Sequence, residues 1–500
     1  MATEPRNEPS PASSEAAQAP FPLLSLLAVA ALLRAHQLDS ALWYDEIVTL
    51  VEYVRLSPGQ IVTTYTSTNN HLLYSLLAHA SVETFGESAW SLRLPAAALG
   101  VASLAAFWGL AHELLPTREA RLASWLVALS YHHLWFSQNA RGYTGILLLT
   151  WLGTALFIRL RRGGPRWLWL PYGLSLAFGA WIHLSSLLLF AAHGLLTSAE
   201  AARERVWFGR PVDPVPFIAF AAALLGALLL YAPALPDLAA TLLEQRQAGA
   251  RGTSIDTWKN PVWTAIEIAR GLPIGPASLL VVTAGAAAAA TGLASLLRHQ
   301  PFGAFVLILP GVLTLTVLLA VGFNIWPRYF LVSLGFASLL GVHGIFVGTR
   351  HLLGNRGGPA TPERARRTAT AICLTVTVLS AATMRVNYRL PKQDHPGALA
   401  LVREQNRNGA PVWTAGLANY TFGRYYEPGW PAIESVEELE TRMAGTTDCW
   451  VLYAFPTHLA GTQPELFARL EQDFQKVGHF PGTLRGGDIY VLRRAVRRGE

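Results

Sequence analysis

The chain has 500 residues, 52% of them hydrophobic and only 14% charged, whereas soluble domains carry charge on roughly a quarter of their residues. Apolar stretches long enough to cross about 30 Å of hydrocarbon recur from Phe21 to Met384, which excludes an ordinary soluble enzyme. The formal net charge is +7, but the arginines sit in short breaks between apolar stretches. That is the positive-inside signature of a membrane protein and not a nucleic-acid-binding surface.

In chain order, residues 1–19 are rich in Pro, Ala, Ser and Glu and are expected to form a disordered cytoplasmic tail. The tail is acidic, unlike the leading region of a cleaved signal peptide, so the apolar stretch from Phe21 is expected to remain as a first span. About eleven spans follow from the apolar runs, near 20–37, 91–114, 120–137, 143–160, 167–181, 183–199, 215–235, 276–297, 302–321, 329–349 and 368–384. Loops at 118–121, 159–166, 203–210, 298 and 350–367 carry the arginines and alternate along the chain, which assigns them to the cytoplasm. The opposite, outer face then receives the loop 39–90, turns at 138–143 and 322–328, the segment 236–276, and everything after Met384.

Within the loop 39–90, segments 46–56 and 71–85 alternate apolar and polar residues at helical spacing, as helices lying in the membrane interface do. The segment 236–276 mixes Glu244, Arg246, Arg251 and Lys259 with Trp258 and Trp263. It suits either a loop that orders over a ligand or an aromatic belt at the interface. Residues 385–500 change character. Charged helical stretches at 396–408, 434–444 and 463–475 alternate with strand-like runs at 412–415, 449–455 and 489–493, predicting a small extracytoplasmic α/β domain after a transmembrane domain at 20–384. Cys373 and Cys449 fit neither a disulfide pair nor a metal framework.

Trp43-Tyr44-Asp45-Glu46, directly after the first span, is the strongest chemical signal. Two adjacent carboxylates at a membrane surface cost desolvation unless water, a cation or a basic partner compensates. By position alone they are a solvated surface pair or a functional site.

The stretch Arg34-Ala-His-Gln-Leu38-Asp-Ser-Ala-Leu42-Trp43-Tyr44-Asp45-Glu46 resembles the start of bacterial relatives of protein O-mannosyltransferases and of the lipid A aminoarabinose transferase, multi-span glycosyltransferases of the C-type superfamily. Three further matches follow in order: Asn69-Asn70-His71-x-x-Tyr74 with Phe85-Gly86-Glu87-Ser88 and Arg93-Leu94-Pro95; Ala140-Arg141-Gly142-Tyr143; and Pro327-Arg328-Tyr329-Phe330. All lie on one expected face. Where several relatives carry an acidic or proline-rich element, this chain has Asn69-Asn70-His71.

The resemblance implies transfer of a sugar from a polyprenyl-phosphate donor to an acceptor hydroxyl, by an inverting displacement, on the outer face of a bacterial inner membrane. Such transfer needs a base at the incoming oxygen and positive charge at the departing phosphate. Asp45 occupies the family's leading acidic position and is implied as the base or as the carboxylate that orients the acceptor, with Glu46 assisting, binding a cation or pairing with arginine. Arg141 and Arg328, with Tyr143 and Tyr329 beside them, are candidates for the carrier phosphate, because guanidinium meets phosphate oxygens in bidentate fashion. The competing reading for both arginines is snorkelling toward headgroups. Arg93 is expected to anchor the second span. His183 is a candidate contact to the phosphate, the sugar or a metal, or a buried hydrogen-bonded histidine. His71, Asn70 and Tyr74 are candidate acceptor or sugar contacts. A divalent cation held by Asp45 and Glu46 is left open, although no spacing specifies a metal cage.

The acceptor is a protein, a lipid or a glycan, and membrane lipids surround the chain. The alternatives are a transporter or flippase for a lipid-linked glycan, and a scaffold whose tail binds a partner. Transport is disfavoured because transporters show inverted repeats and mid-membrane charge, whereas here the polar residues collect at outer span ends.

Overall fold

The computed structural model describes residues 21–67, 69–250, 256–271, 274–275, 277–354 and 361–495; the expected tail 1–19 and Arg251 lie outside them. The chain begins with α1 (Phe21–Ala35), then the loop helices α2 (Tyr44–Val48), continued by a π-helical turn (Thr49–Val54), α3 (Pro58–Thr63) and α4 (Leu72–Phe85). Next come α5 (Ala89–Leu114), α6 (Thr117–Ala128), α7 (Tyr131–Ser137), α8 (Tyr143–Arg161), α9 (Trp169–Ile182), α10 (Ser186–Phe208) and α11 (Val215–Tyr231). Most of the described part of the segment 236–276 is helical, with α12 (Leu235–Ala250) and α13 (Pro261–Arg270). The last apolar helices are α14 (Ala277–His299), α15 (Pro301–Val321), α16 (Leu331–Gly354) and α17 (Thr361–Arg389).

Each of the eleven apolar segments read from the sequence is largely helical over its described residues. Among the described residues, seven helices are long and apolar enough to cross a membrane by themselves. The segment 120–137 differs from expectation: it is two helices, broken at Leu129 and Ser130. The break frees backbone carbonyls, which a membrane interior cannot hydrate. Arg34, buried on α1, donates to the Ala128 carbonyl at 3.3 Å, and Ser380 on α17 donates to that of Leu129 at 3.1 Å. The same guanidinium meets His133 Nδ1 at 2.7 Å and Ser137 Oγ at 3.2 Å, so one buried arginine ties α1 to both halves.

Small residues set the closest helix contact. A Cβ built on Gly344 of α16 would stand 1.8 Å from the Ala288 carbonyl oxygen of α14, and one on Gly292 would stand 2.0 Å from that of Leu340. Backbones approach this closely only where side chains are missing, the usual device of membrane helix pairs. Trp151 of α8 fills the core behind them, against Phe107 and the bare face of Gly335.

After α17 the chain enters α18 (His395–Gln405) and a five-stranded sheet in the order β2-β1-β3-β5-β4, built from β1 (Val412–Gly416), β2 (Ala432–Ile433), β3 (Asp448–Ala454), β4 (Gln475–Phe480) and β5 (Ile489–Ala495). β2, β1 and β3 run parallel; β5 and β4 add antiparallel. The three strand-like runs in the sequence are β1, β3 and β5, the buried centre. β2 has two residues, and β4 is a half-exposed edge with a register shift between Lys476 and Gly478, which hides the alternation that marks a strand.

Candidate active site

The acidic motif opens the short helix α2, and helical geometry separates its two carboxylates. Adjacent residues point about 100° apart around a helix, so Asp45 and Glu46 face different partners. Glu46 is completely buried. It accepts from Arg93 Nε at 2.7 Å and Nη2 at 2.6 Å, and from the Ala140 amide at 2.8 Å. Burial pushes its carboxyl upward, but Arg93 and Lys392 outweigh that and hold it below the usual range. The expectation that Glu46 assists Asp45 or shares a cation with it is corrected: its oxygens are spent on Arg93 and backbone N–H groups, and it does not line the cavity. Arg93 also donates to the carbonyls of Leu38, Ser40 and Ala41, the anchoring role expected of it.

Asp45 instead pairs with Arg141, a residue only 2% exposed. Arg141 Nη2 lies 3.1 Å from His71 Nε2, and its Nε is buried without a hydrogen-bond partner. His71 Nδ1 also lies 3.2 Å from the Gly142 amide. A neutral imidazole accepts through one ring nitrogen only, so His71 satisfies one of these donors at a time. Burial, then Arg141, His183 and Arg328, lower its pKa well below the ordinary value and keep it neutral.

Asp45 and Arg141 open into a cavity of about 350 Å³. Arg328 and Tyr329 enter it from the turn before α16, Tyr143 from the start of α8, and His183 from the turn between α9 and α10. Arg328 lies over the rings of Trp326 (5.4 Å) and Tyr329 (5.9 Å). Tyr44 lines it from α2, and Tyr65, Ser67, Asn69 and Asn70 from the segment between α3 and α4. Burial pushes the phenols of Tyr44 and Tyr65 up to about 12, so both remain protonated donors. Val48, Leu184, Leu242, Leu318 and Phe323 form an apolar flank. Asp45 is the one carboxylate among the described lining residues.

Seven of the ten residues singled out from sequence therefore meet at one cavity: Asp45, Asn70, Arg141, Tyr143, His183, Arg328 and Tyr329. His71 stands behind it, against Arg141. Tyr74 is buried away from it and donates to the Leu92 carbonyl at 2.7 Å, which is an architectural role. Sequence reasoning missed Tyr65, Ser67 and the apolar flank, which lie in segments without chemical motifs. It also missed Lys392 and Gln393, buried residues from the other end of the chain that bond to the backbone of Gln138 and Tyr44. Among the described residues no group of three or more His, Cys, Asp or Glu side chains is arranged to hold a metal ion.

Residues 70–236, about a third of the chain, match the sequence model of the family described as dolichyl-phosphate-mannose-protein mannosyltransferase. No curated protein matches the sequence. Among solved structures, the Archaeoglobus fulgidus oligosaccharyltransferase tethered to an acceptor peptide aligns with TM-score 0.53 and 12% identity, over 93% of this chain and 74% of that one. AglB from Archaeoglobus fulgidus, in complex with an inhibitory peptide and a dolichol-phosphate, aligns with TM-score 0.52 and 12% identity, over 94% and 74%. ArnT from Cupriavidus metallidurans bound to undecaprenyl phosphate covers 96% of this chain and 99% of its own, at 11% identity and TM-score 0.44. The chain is a multi-span membrane protein that shares its fold with the Archaeoglobus fulgidus oligosaccharyltransferase, and its residues 70–236 match the sequence model of the mannosyltransferase family.

Proposed function

We propose that this protein transfers a sugar from a polyprenyl-phosphate carrier to an acceptor hydroxyl at the outer surface of the bacterial inner membrane. The observation that carries the reading is the convergence of Asp45, Arg141 and Arg328 on one cavity with an apolar flank. An apolar wall of Leu242, Leu318 and Phe323 suits the first isoprene units of a carrier. Two guanidiniums suit its phosphate. The dolichol-phosphate bound by the structurally similar AglB supports a carrier of this class.

The acceptor oxygen attacks the anomeric carbon from the Asp45 side while the bond from that carbon to the phosphate oxygen breaks. The bonding pair leaves with the phosphate, the acceptor proton passes to Asp45, and the anomeric centre inverts. Charge stays balanced throughout. Two guanidiniums face the Asp45 carboxylate and a singly charged phosphodiester before transfer, and a protonated Asp45 and a doubly charged phosphate monoester after it. The polar wall of Tyr44, Tyr65, Ser67, Asn69 and Asn70 then orients the sugar and acceptor hydroxyls. The test is transfer of radiolabelled sugar from a panel of polyprenyl-phosphate sugars to cell-envelope acceptors by purified protein. Labelled product with one donor is expected; no label from any donor, with protein that binds the carrier, counts against the reading.

A further inference from the structure

The five residues after α17 cross from the membrane bundle into the sheet unit, and two of them touch both halves of the site. Lys392 and Gln393 are buried, at 5% and 0% exposure. Lys392 Nζ donates to the Gln138 carbonyl at 2.6 Å, at the start of the turn that carries Arg141. Its ammonium also faces the Trp135 ring at 5.6 Å. Gln393 Oε1 accepts from the Tyr44 amide at 2.9 Å, in the first turn of the helix that carries Asp45.

The strap is in turn fixed by the sheet unit. Gln393 Nε2 donates to the Gly487 carbonyl at 2.6 Å, and the amides of Thr483 and Leu484 donate to the carbonyls of Pro391 and Lys392. Gly482 approaches so closely that a Cβ there would lie 2.1 Å from the Lys392 carbonyl oxygen. Further along, Tyr420 and Phe455 pack edge-on to the Tyr44 ring at 6.0 and 5.8 Å, and Tyr426 donates to the Leu42 carbonyl. The motif before Asp45 is thus walled by residues far along the chain, Gln393 lying 349 positions from Tyr44 and Tyr426 lying 384 from Leu42.

We propose that Lys392 and Gln393 form a positioning strap through which the C-terminal sheet unit sets the separation of Asp45 and Arg141. The proposal rests on the reading of those two residues as base and phosphate holder. The strap touches neither substrate; it fixes one backbone point on each of the two segments whose side chains pair at the cavity. A misplacement near 1 Å at a reacting centre costs on the order of a hundredfold in rate, which defines what the strap protects.

The experiment compares Gln393→Met, Gln393→Glu and Lys392→Met in the full-length protein by amide hydrogen exchange and by transfer kinetics. Gln393→Met removes the acceptor of the Tyr44 amide, and should speed exchange over 44–48 and lower kcat by ten- to a hundredfold, with KM for the donor within about twofold. Gln393→Glu keeps an oxygen for that amide and should restore most of kcat. Lys392→Met should loosen 138–142 in the same way. Should Gln393→Met fail to fold, Gln393→Asn, one methylene shorter, decides the same question. Unchanged exchange in these segments, or wild-type kcat with only a lower melting temperature, overturns the proposal. The exchange measurement stands whether or not a donor has been identified, so failure of the strap and failure of the glycosyltransferase reading are told apart.

Discussion

Replacing Arg93 with methionine removes the cation hydrogen-bonded to Glu46, a carboxylate that has no exposed surface. In Arg93→Met, Glu46 keeps its buried position and the amides of Trp43 (3.3 Å) and Ala140 (2.8 Å), but loses two charged hydrogen bonds at 2.7 and 2.6 Å. Breaking a buried pair from one side costs about 3–5 kcal/mol. The upper end applies here, because the carbonyls of Leu38, Ser40 and Ala41 also lose their donor. Equilibrium unfolding in mixed micelles of a mild and a denaturing detergent measures it. The variant Glu46→Gln should also be destabilised, since it leaves Arg93 charged without an anion. The pH dependence has a fixed sign. A carboxyl held below its ordinary 4.5 contributes stability above that value, and the contribution is lost as pH falls through the lower folded value; Glu46→Gln should flatten that acid limb. A Glu46→Gln protein within about 1 kcal/mol of wild type yet devoid of transfer would refute this reasoning and return Glu46 to the chemistry.

The remaining predictions follow from the cavity, the helix packing and the strap. Arg141→Ala and Arg328→Ala should each weaken binding of polyprenyl phosphate by about 10- to 150-fold, the equivalent of 1.5–3 kcal/mol for a charged hydrogen bond, in a titration monitored by intrinsic tryptophan fluorescence. Gly344→Val places its side chain in the Ala288 carbonyl and should separate α14 from α16, seen as loss of a monodisperse peak in gel filtration; Gly341→Val, with open space around it, should behave as wild type. Lys392 is lowered to about 7 by burial and then by Arg93, against the pull of Glu46. Between that value and the ordinary 10.5 the unfolded chain holds a proton that the folded chain has released, so stability should rise with pH across that window. Lys392→Met should remove that rise.

The membrane bundle was legible because span length and arginine placement are set by the bilayer itself, a constraint every segment meets locally. The break between α6 and α7 was not, since Leu129-Ser130 carries neither proline nor glycine; it is sustained by Arg34 and Ser380, distant in sequence. The cavity was partly legible. Arg141 and Arg328 stand out as charges at apolar span ends, where a charge needs a reason. Adjacent Asp45 and Glu46 look equivalent as letters, and only the turn of α2 and the reach of Arg93 distinguish them. Lys392 and Gln393 lie at an ordinary chain junction, and nothing but the folded position of Gln138 and Tyr44 gives them meaning.

The most direct measurement is Asp45→Asn, assayed in parallel for carrier binding and for sugar transfer. The substitution keeps the shape of the side chain and its contact with Arg141 while removing the proposed base. The account predicts a folded protein that binds polyprenyl phosphate within a few-fold of wild type and transfers at least a hundredfold more slowly. Transfer at the wild-type rate would contradict it.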